Sequence, residues 1–309
     1  MQNLTSLDAL QISSSWVTIG SFDGVHLGHQ ALLQRLVSEA HARLSRAVVI
    51  TFHPHPAVFL RKIDAPFLLT SSEERASLIA TQGVDDLITL PFTHELADLS
   101  AEQFMTTLVE NLGLRRLLVG PGFALGKGRA GDIPALQIIG KKLGFQVETI
   151  EPVNSTAGVI SSTHLRQLIS QGQMQPAADL LGRLYSITGE IIHGEGRGSG
   201  MGMPTANFKV PPERLLPATG VYATWIWDGS SRYESVTNVG YNPTFHTSLV
   251  RPRVECHLLN TRQDLYGRTL KLEFVRYLRP ELRFESADDL VAQVKQDITQ
   301  TREILHANT

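Results

Sequence analysis

Between Trp16 and Ile150 the chain alternates short apolar runs with longer amphipathic segments. The runs are Trp16-Val17-Thr18-Ile19-Gly20, Ala47-Val48-Val49-Ile50, Asp86-Leu87-Ile88-Thr89-Leu90, Arg116-Leu117-Leu118-Val119 and Phe145-Gln146-Val147-Glu148-Thr149-Ile150. Their length and β-branched content read as strands, and the segments between them carry helical period. Two of those segments open with capping-box spacing, Ser71 with Glu74 and Ser100 with Gln103. Strands separated by helices predict a parallel sheet covered on both faces, with ligands at the carboxyl ends of its strands.

After Ile150 the pattern changes twice. Ile160 to Ile169 places Ser161, Ser162 and Thr163 at a helix start with Arg166 in the first turn, a place suited to an anion, and helical patterning continues to about Leu181. From Tyr185 the chain becomes short alternating runs: 185–192, 221–227, 254–259 and 269–275. Asp228-Gly229 is a hairpin signal. These runs predict a small, mostly antiparallel barrel, closed by a helix from about Ala287 to Leu305. The change of texture near Leu181 to Leu184 divides the chain into domains 1–182 and 183–309.

Chemistry concentrates where the first apolar run stops, in Ser21-Phe22-Asp23-Gly24-Val25-His26-Leu27-Gly28-His29. Two glycines permit a tight strand-to-helix turn, and the helix behind it points free N–H groups and a positive dipole end at an anion. His26 and His29 then lie one turn apart, placed to donate to a single phosphoryl group. Zinc is the rival reading, since His53 and His55 add two imidazoles, but neither Cys nor a carboxylate stands at ligand spacing. Pro54 and Pro56 fix an extended loop there, so His53 and His55 read equally as a rigid wall or as direct contacts.

Composition narrows the class. At 309 residues, two domains are expected, and 42% apolar with 19% charged residues suffices for real cores. A net charge of −2 and a pI near 6.6 supply no basic field for nucleic acid. The single cysteine, Cys256, excludes an internal disulfide and fits a reducing compartment. It reads as a packed strand residue. With no long apolar run and no signal-peptide pattern, a cytoplasmic protein is expected.

FDGVHLGH resembles the HxGH signature of the α/β nucleotidyltransferases, in the form found in bacterial bifunctional riboflavin kinase/FAD synthetases. Thr51-Phe52-His53-Pro54-His55-Pro56, Ser161-Ser162-Thr163 and Pro204-Thr205-Ala206-Asn207 follow in that family's order. The resemblance implies a Rossmann-like N-terminal domain that transfers AMP from ATP to FMN, giving FAD and pyrophosphate. It also implies a C-terminal barrel that phosphorylates riboflavin with ATP to FMN. It assigns catalysis to His26, His29, Arg166 and Glu255, the last as general base for the riboflavin hydroxyl. Phe22, Asp23, Gly24, Gly28, Ser161, Ser162 and Thr163 would contact nucleotide phosphates, and Gly196, Gly198 and Gly202 would form the kinase's phosphate-covering loop. Thr205 and Asn207 would hold Mg²⁺, with His55, Phe123 and Asn238 beside the flavin. Small molecules, not nucleic acid or membrane, are the implied partners.

The chain departs from the family at His164, where a second arginine is usual, and at Gly122, where Asp or Asn is common. These departures leave a weakened adenylyltransferase, or a flavin-binding regulator, as alternatives. A nucleotidyltransferase with another acceptor is disfavoured by the PTAN stretch and Glu255.

Overall fold

A computed structural model describes residues 1–7, 11–151, 153–155, 158–193, 205–241, 252–259 and 265–307. Contacts divide the chain into two compact units. One comprises Met1–Asp64 and Leu69–Ser162, the other Ala65–Leu68 and Thr163–Thr309.

The first unit is built on β1 (Gln2–Leu4), β2 (Ser15–Ile19), β3 (Arg46–His53), β4 (Asp86–Pro91), β5 (Leu114–Val119) and β8 (Gln146–Thr149), with β6 (Ala124–Leu125) and β7 (Gly131–Asp132) forming a small hairpin. Helices α1 (Leu27–His41), α2 (Pro56–Arg61), α3 (Ser72–Ala80), α4 (His94–Asp98), α5 (Ala101–Leu112) and α6 (Ile133–Leu143) lie between them. A two-residue pair, β9 (Asn154–Ser155) and β10 (Gly158–Val159), completes the unit. The six-stranded sheet has the order β1-β4-β3-β2-β5-β8, every pairing parallel. Alternate strand residues serve opposite faces. Val17, Ile19, Val48 and Ile50 pack with Phe104, Met105 and Leu108 of α5, whereas Trp16, Ala47 and Val49 pack with Leu33 and Leu36 of α1. Both expected capping boxes are present, at Ser71 and Ser100. The sequence pattern does not reveal β1, a half-exposed edge strand of three residues. From β2 the chain winds to β3 and β4 on one side and later to β5 on the other. The carboxyl ends of β2 and β5 are therefore a topological switch point, where such sheets open a crevice.

The second unit contains α7 (Ser162–Ser170), which starts in the first unit's last residue, and α8 (Met174–Leu181). Its closed barrel comprises β11 (Tyr185–Ile192), β12 (Thr205–Lys209), β13 (Gly220–Asp228), β14 (Ser231–Gly240), β15 (Arg253–Leu258) and β16 (Thr269–Arg279), followed by α9 (Ala287–Ala307). The order is β11-β12-β15-β14-β13-β16, antiparallel throughout. Ala206, Cys256, Thr237 and Tyr222 form one row across four strands and are at most 8% exposed, which makes theirs the inner face. Cys256 is thus a core residue, its Sγ accepting from Thr237 at 3.1 Å and its thiol pushed up to about 12 by burial. Ile304 and Leu305 of α9 pack with Ala223, Trp225 and Val275 on the outer face.

Two features depart from the sequence pattern. The helical stretch from Ser162 to Leu181 breaks at Gly172, whose φ of 73° a side chain rarely adopts and whose missing Cβ would stand 3.3 Å from Tyr222 and Tyr277. The units divide at 162/163, ahead of the texture change at 182/183, because α8 packs on β11 and β16 through Met174, Ala177, Leu180 and Leu181. Among the described residues no helix is long and apolar enough to cross a membrane.

Candidate active sites

The turn after β2 is held by Asp23. Its buried carboxylate accepts from Leu69 N–H with both oxygens, from Thr70 N–H and from the Thr70 hydroxyl, all at 3.0 Å. Thr70 Oγ1 in turn accepts from Gly24 N–H at 3.1 Å, and Ser162 Oγ donates to the Asp23 carbonyl at 2.8 Å. Phe22 (φ 48°) and Val25 (φ 38°) are driven into the left-handed region, a strain that persists only where the surroundings over-determine the backbone. These bonds engage the Asp23 carboxylate and the Gly24 N–H with Leu69 and Thr70 and fix the turn's shape.

His26 is the N-cap of α1, its Nδ1 accepting from His29 N–H at 3.2 Å. One of the helix N–H groups expected to meet an anion is therefore already engaged. The cap brings the two rings together, stacked at 3.6 Å and 14° from parallel. Gly28 makes room for this, since a Cβ there would stand 3.2 Å from the His26 ring. Phe22 meets His29 edge-on at 5.1 Å. Burial first, and the neighbouring His26 second, hold the His29 pKa well below its usual 6.5, so the ring is neutral at pH 7. Its Nδ1 is buried with no hydrogen-bond partner among the described residues.

His29 lines a cavity of about 630 Å³ at the switch point. Its walls include Phe22, Phe52, His55, Pro56, Gly120, Gly122 and Phe123. His55 is the N-cap of α2, accepting from Ala57 N–H at 3.1 Å, whereas His53 is exposed and bonded to Ser72 Oγ. The volume suits a small-molecule ligand, and apolar walls with a few convergent polar groups are the usual form of such a site. Sequence reasoning missed Thr70, Arg75 and Arg129. Arg75, buried in α3, donates to the Phe52 carbonyl at 3.1 Å, and burial lowers its pKa while Asp23 opposes that effect. Nothing local marks it, because a charged residue in the first turns of a helix usually faces water.

The second unit holds Thr163, Arg166, Thr205, Asn207, Asn238 and Glu255. Asn207, Glu255 and Asn238 are register partners on β12, β15 and β14, one row of three polar side chains on the face opposite Cys256. Thr205 pairs with His257 two positions along the same face. Asn207 is buried, and Asn238 donates to Glu281 at 3.2 Å while its Oδ1 is buried without a partner among the described residues. The alternation expected for β15 is present, with Val254 and Cys256 buried and Glu255 half-buried between them. Arg166 donates to the Phe67 carbonyl at 2.9 Å and lies over the Phe67 ring at 3.7 Å, both residues being in this unit with exposed Thr163. Ser161, half-buried, belongs to the first unit. Gly196, Gly198 and Gly202 lie outside the described residues.

Two family models match the chain, FAD synthetase over residues 9–164 and riboflavin kinase over 181–305. The bifunctional riboflavin kinase/FMN adenylyltransferase of Escherichia coli K12 is 37% identical over 93% of this chain and 91% of its own length. That of Bacillus subtilis 168 is 32% identical over 92% and 90%. A crystal structure described as a macrolide-efflux protein from Streptococcus pneumoniae superposes with a TM-score of 0.87 at 30% identity, covering 97% of this chain and 98% of that one.

Proposed function

The chain belongs to the bifunctional riboflavin kinase/FMN adenylyltransferases, and from that premise we propose how its own residues divide the two reactions. It phosphorylates riboflavin with ATP to give FMN and transfers AMP from a second ATP to FMN, giving FAD and pyrophosphate. Adenylyl transfer is assigned to residues 1–182 and phosphorylation to 183–309.

The His29 ring, stacked on His26 and lining the switch-point cavity, carries the adenylylation reading. A phosphate oxygen of FMN attacks the α-phosphorus of ATP, the bond to the β-phosphate oxygen breaks, and negative charge builds on the non-bridging oxygens. A neutral His29 keeps one ring N–H to donate to such an oxygen without first losing a proton, and rising anionic charge nearby strengthens that bond. His26 fixes the ring's place through the cap and the stack. The flavin lies along Phe123 and His55, and Ser161 and Ser162 approach the nucleotide phosphates.

In the barrel, Glu255 takes the proton from the riboflavin hydroxyl as its oxygen attacks the γ-phosphorus of ATP, and the bond to the β-phosphate oxygen breaks to release ADP. The hydroxyl of Thr205 and the amide oxygen of Asn207 are hard donors, and Asn207 is buried beside Glu255, so this donor set fits Mg²⁺. That ion, bound here, would neutralise charge on the ATP phosphates. Asn238 completes the row on the flavin side. We place both reactions in the cytoplasm, in keeping with a single buried, free cysteine.

The test is incubation with riboflavin, ATP and Mg²⁺, with FMN and FAD separated chromatographically. Wild-type protein is expected to make both. His29→Ala is expected to lose adenylylation by about 10² or more, on the scale of one lost oxyanion donor, with FMN formation intact. FAD made by that variant at the wild-type rate removes the role given to His29.

A further inference from the structure

We propose that Arg129 reads the phosphate of FMN in the first unit's cavity, and so determines that the phosphorylated flavin rather than riboflavin occupies it. The inference rests on the adenylylation reading and goes beyond it in naming what recognises the acceptor's charge. Among the described residues no carboxylate lines the cavity, while Arg61 and Arg129 do, together with His29 and His55. FMN brings a phosphate of nearly two negative charges, which an otherwise aromatic and aliphatic cavity would exclude unless a cation meets it.

Arg129 is placed for this by its backbone. Its own φ is 61° and that of Gly128 is 62°, and two successive left-handed residues turn the chain sharply back toward the loop after β5. The turn is fixed by Lys127 N–H on the Leu99 carbonyl at 2.8 Å and Arg129 N–H on the Gly126 carbonyl at 2.9 Å. Gly126 lies so close to Ala101 that a Cβ would stand 2.6 Å from its nitrogen. Among the described residues the guanidinium donates one bond, to the Gly122 carbonyl at 3.1 Å, which holds it beside Phe123, the proposed wall for the flavin ring. A guanidinium carries five N–H donors, so a fork remains to grip phosphate with two parallel bonds. The adenylylation reading gives the α-phosphate of ATP a separate donor, His29.

The experiment is steady-state FAD formation by the full chain, varying FMN, then ATP, with lumiflavin as a competitor that has the ring but neither ribityl chain nor phosphate. Arg129→Ala is expected to raise KM for FMN tenfold or more, leaving KM for ATP and the lumiflavin inhibition constant within about twofold; Arg129→Lys recovers part of the loss. Should alanine at this left-handed position prevent folding, Arg129→Gly suits the backbone and removes the same side chain. An unchanged KM for FMN overturns the proposal, as does an equal rise in the lumiflavin constant, which makes Arg129 a wall residue. A rise confined to ATP assigns its contact to the nucleotide. Wild-type protein that makes no FAD at all overturns the adenylylation reading itself, an outcome distinct from each of these.

Discussion

Position 122 is empty by geometry as well as by sequence. Gly122 has φ 70°, and a Cβ built there would meet nothing within 4 Å. Asparagine tolerates the left-handed region better than other side chains, so Gly122→Asn should fold normally and place an amide in the cavity. If the missing polar group handicaps adenylyl transfer, this variant makes FAD faster than wild type from FMN and ATP; an unchanged rate shows that another residue supplies the contact. His29 makes a second prediction at this scale. Its folded pKa lies below the unfolded 6.5, so as pH falls through 6.5 the unfolded chain takes up a proton that the folded one refuses. Stability present above pH 6.5 is therefore lost progressively below it, by about 1.4 kcal/mol for each unit of pKa difference. Urea unfolding between pH 7.5 and 5 is expected to show a steeper loss for wild type than for His29→Gln. Parallel profiles would mean that the His29 ring is solvated.

Single strands explain why some of the site was legible and some was not. The runs of β2, β3, β4 and β5 were readable because burial on both faces demands continuous apolar sequence, and β15 was readable because burial on one face demands alternation. β12 shows neither pattern, since Ala206, Asn207 and Phe208 are all buried for different reasons, two by packing and one beside polar neighbours. The histidine turn could be placed from sequence, but not the part played by Asp23, whose partners Leu69 and Thr70 are 46 and 47 residues away. Nor does spacing along the chain show that Asn207, Glu255 and Asn238 are one row; only the strand order does. That row makes its own prediction. Glu255→Gln keeps the shape and removes the base, so FMN formation should fall by about 10² to 10⁴, while supplied FMN is still converted to FAD. Asn207→Ala should raise the Mg²⁺ concentration needed for the same half-reaction only. Near-normal riboflavin phosphorylation by Glu255→Gln would place the base elsewhere.

For the molecule as a whole, the two compact units and the two activities need not share a boundary. A fragment of residues 163–309 retains α8, whose Met174, Ala177, Leu180 and Leu181 are no more than 2% exposed, and a fragment of 183–309 does not. Each large buried side chain contributes about 1.5–3 kcal/mol, so the shorter fragment should unfold at distinctly lower urea, with both making FMN and neither making FAD. Equal midpoints would show that α8 adds nothing to the barrel.

Residues Ala65–Leu68 have a consequence for how the protein is made. They follow α2 in sequence yet belong to the second unit, where Phe67 and Leu68 N–H donate to the Glu213 carbonyl at 2.8 Å and the Leu68 carbonyl accepts from Arg214, 146 residues later. At about 5–20 residues per second on the ribosome, that partner is synthesised about 7–30 s after the segment it secures. Throughout that interval Leu69 and Thr70, which hold Asp23, are tethered to a stretch whose own backbone partners do not yet exist. A segment among the first to be synthesised is thus among the last to be locked in place.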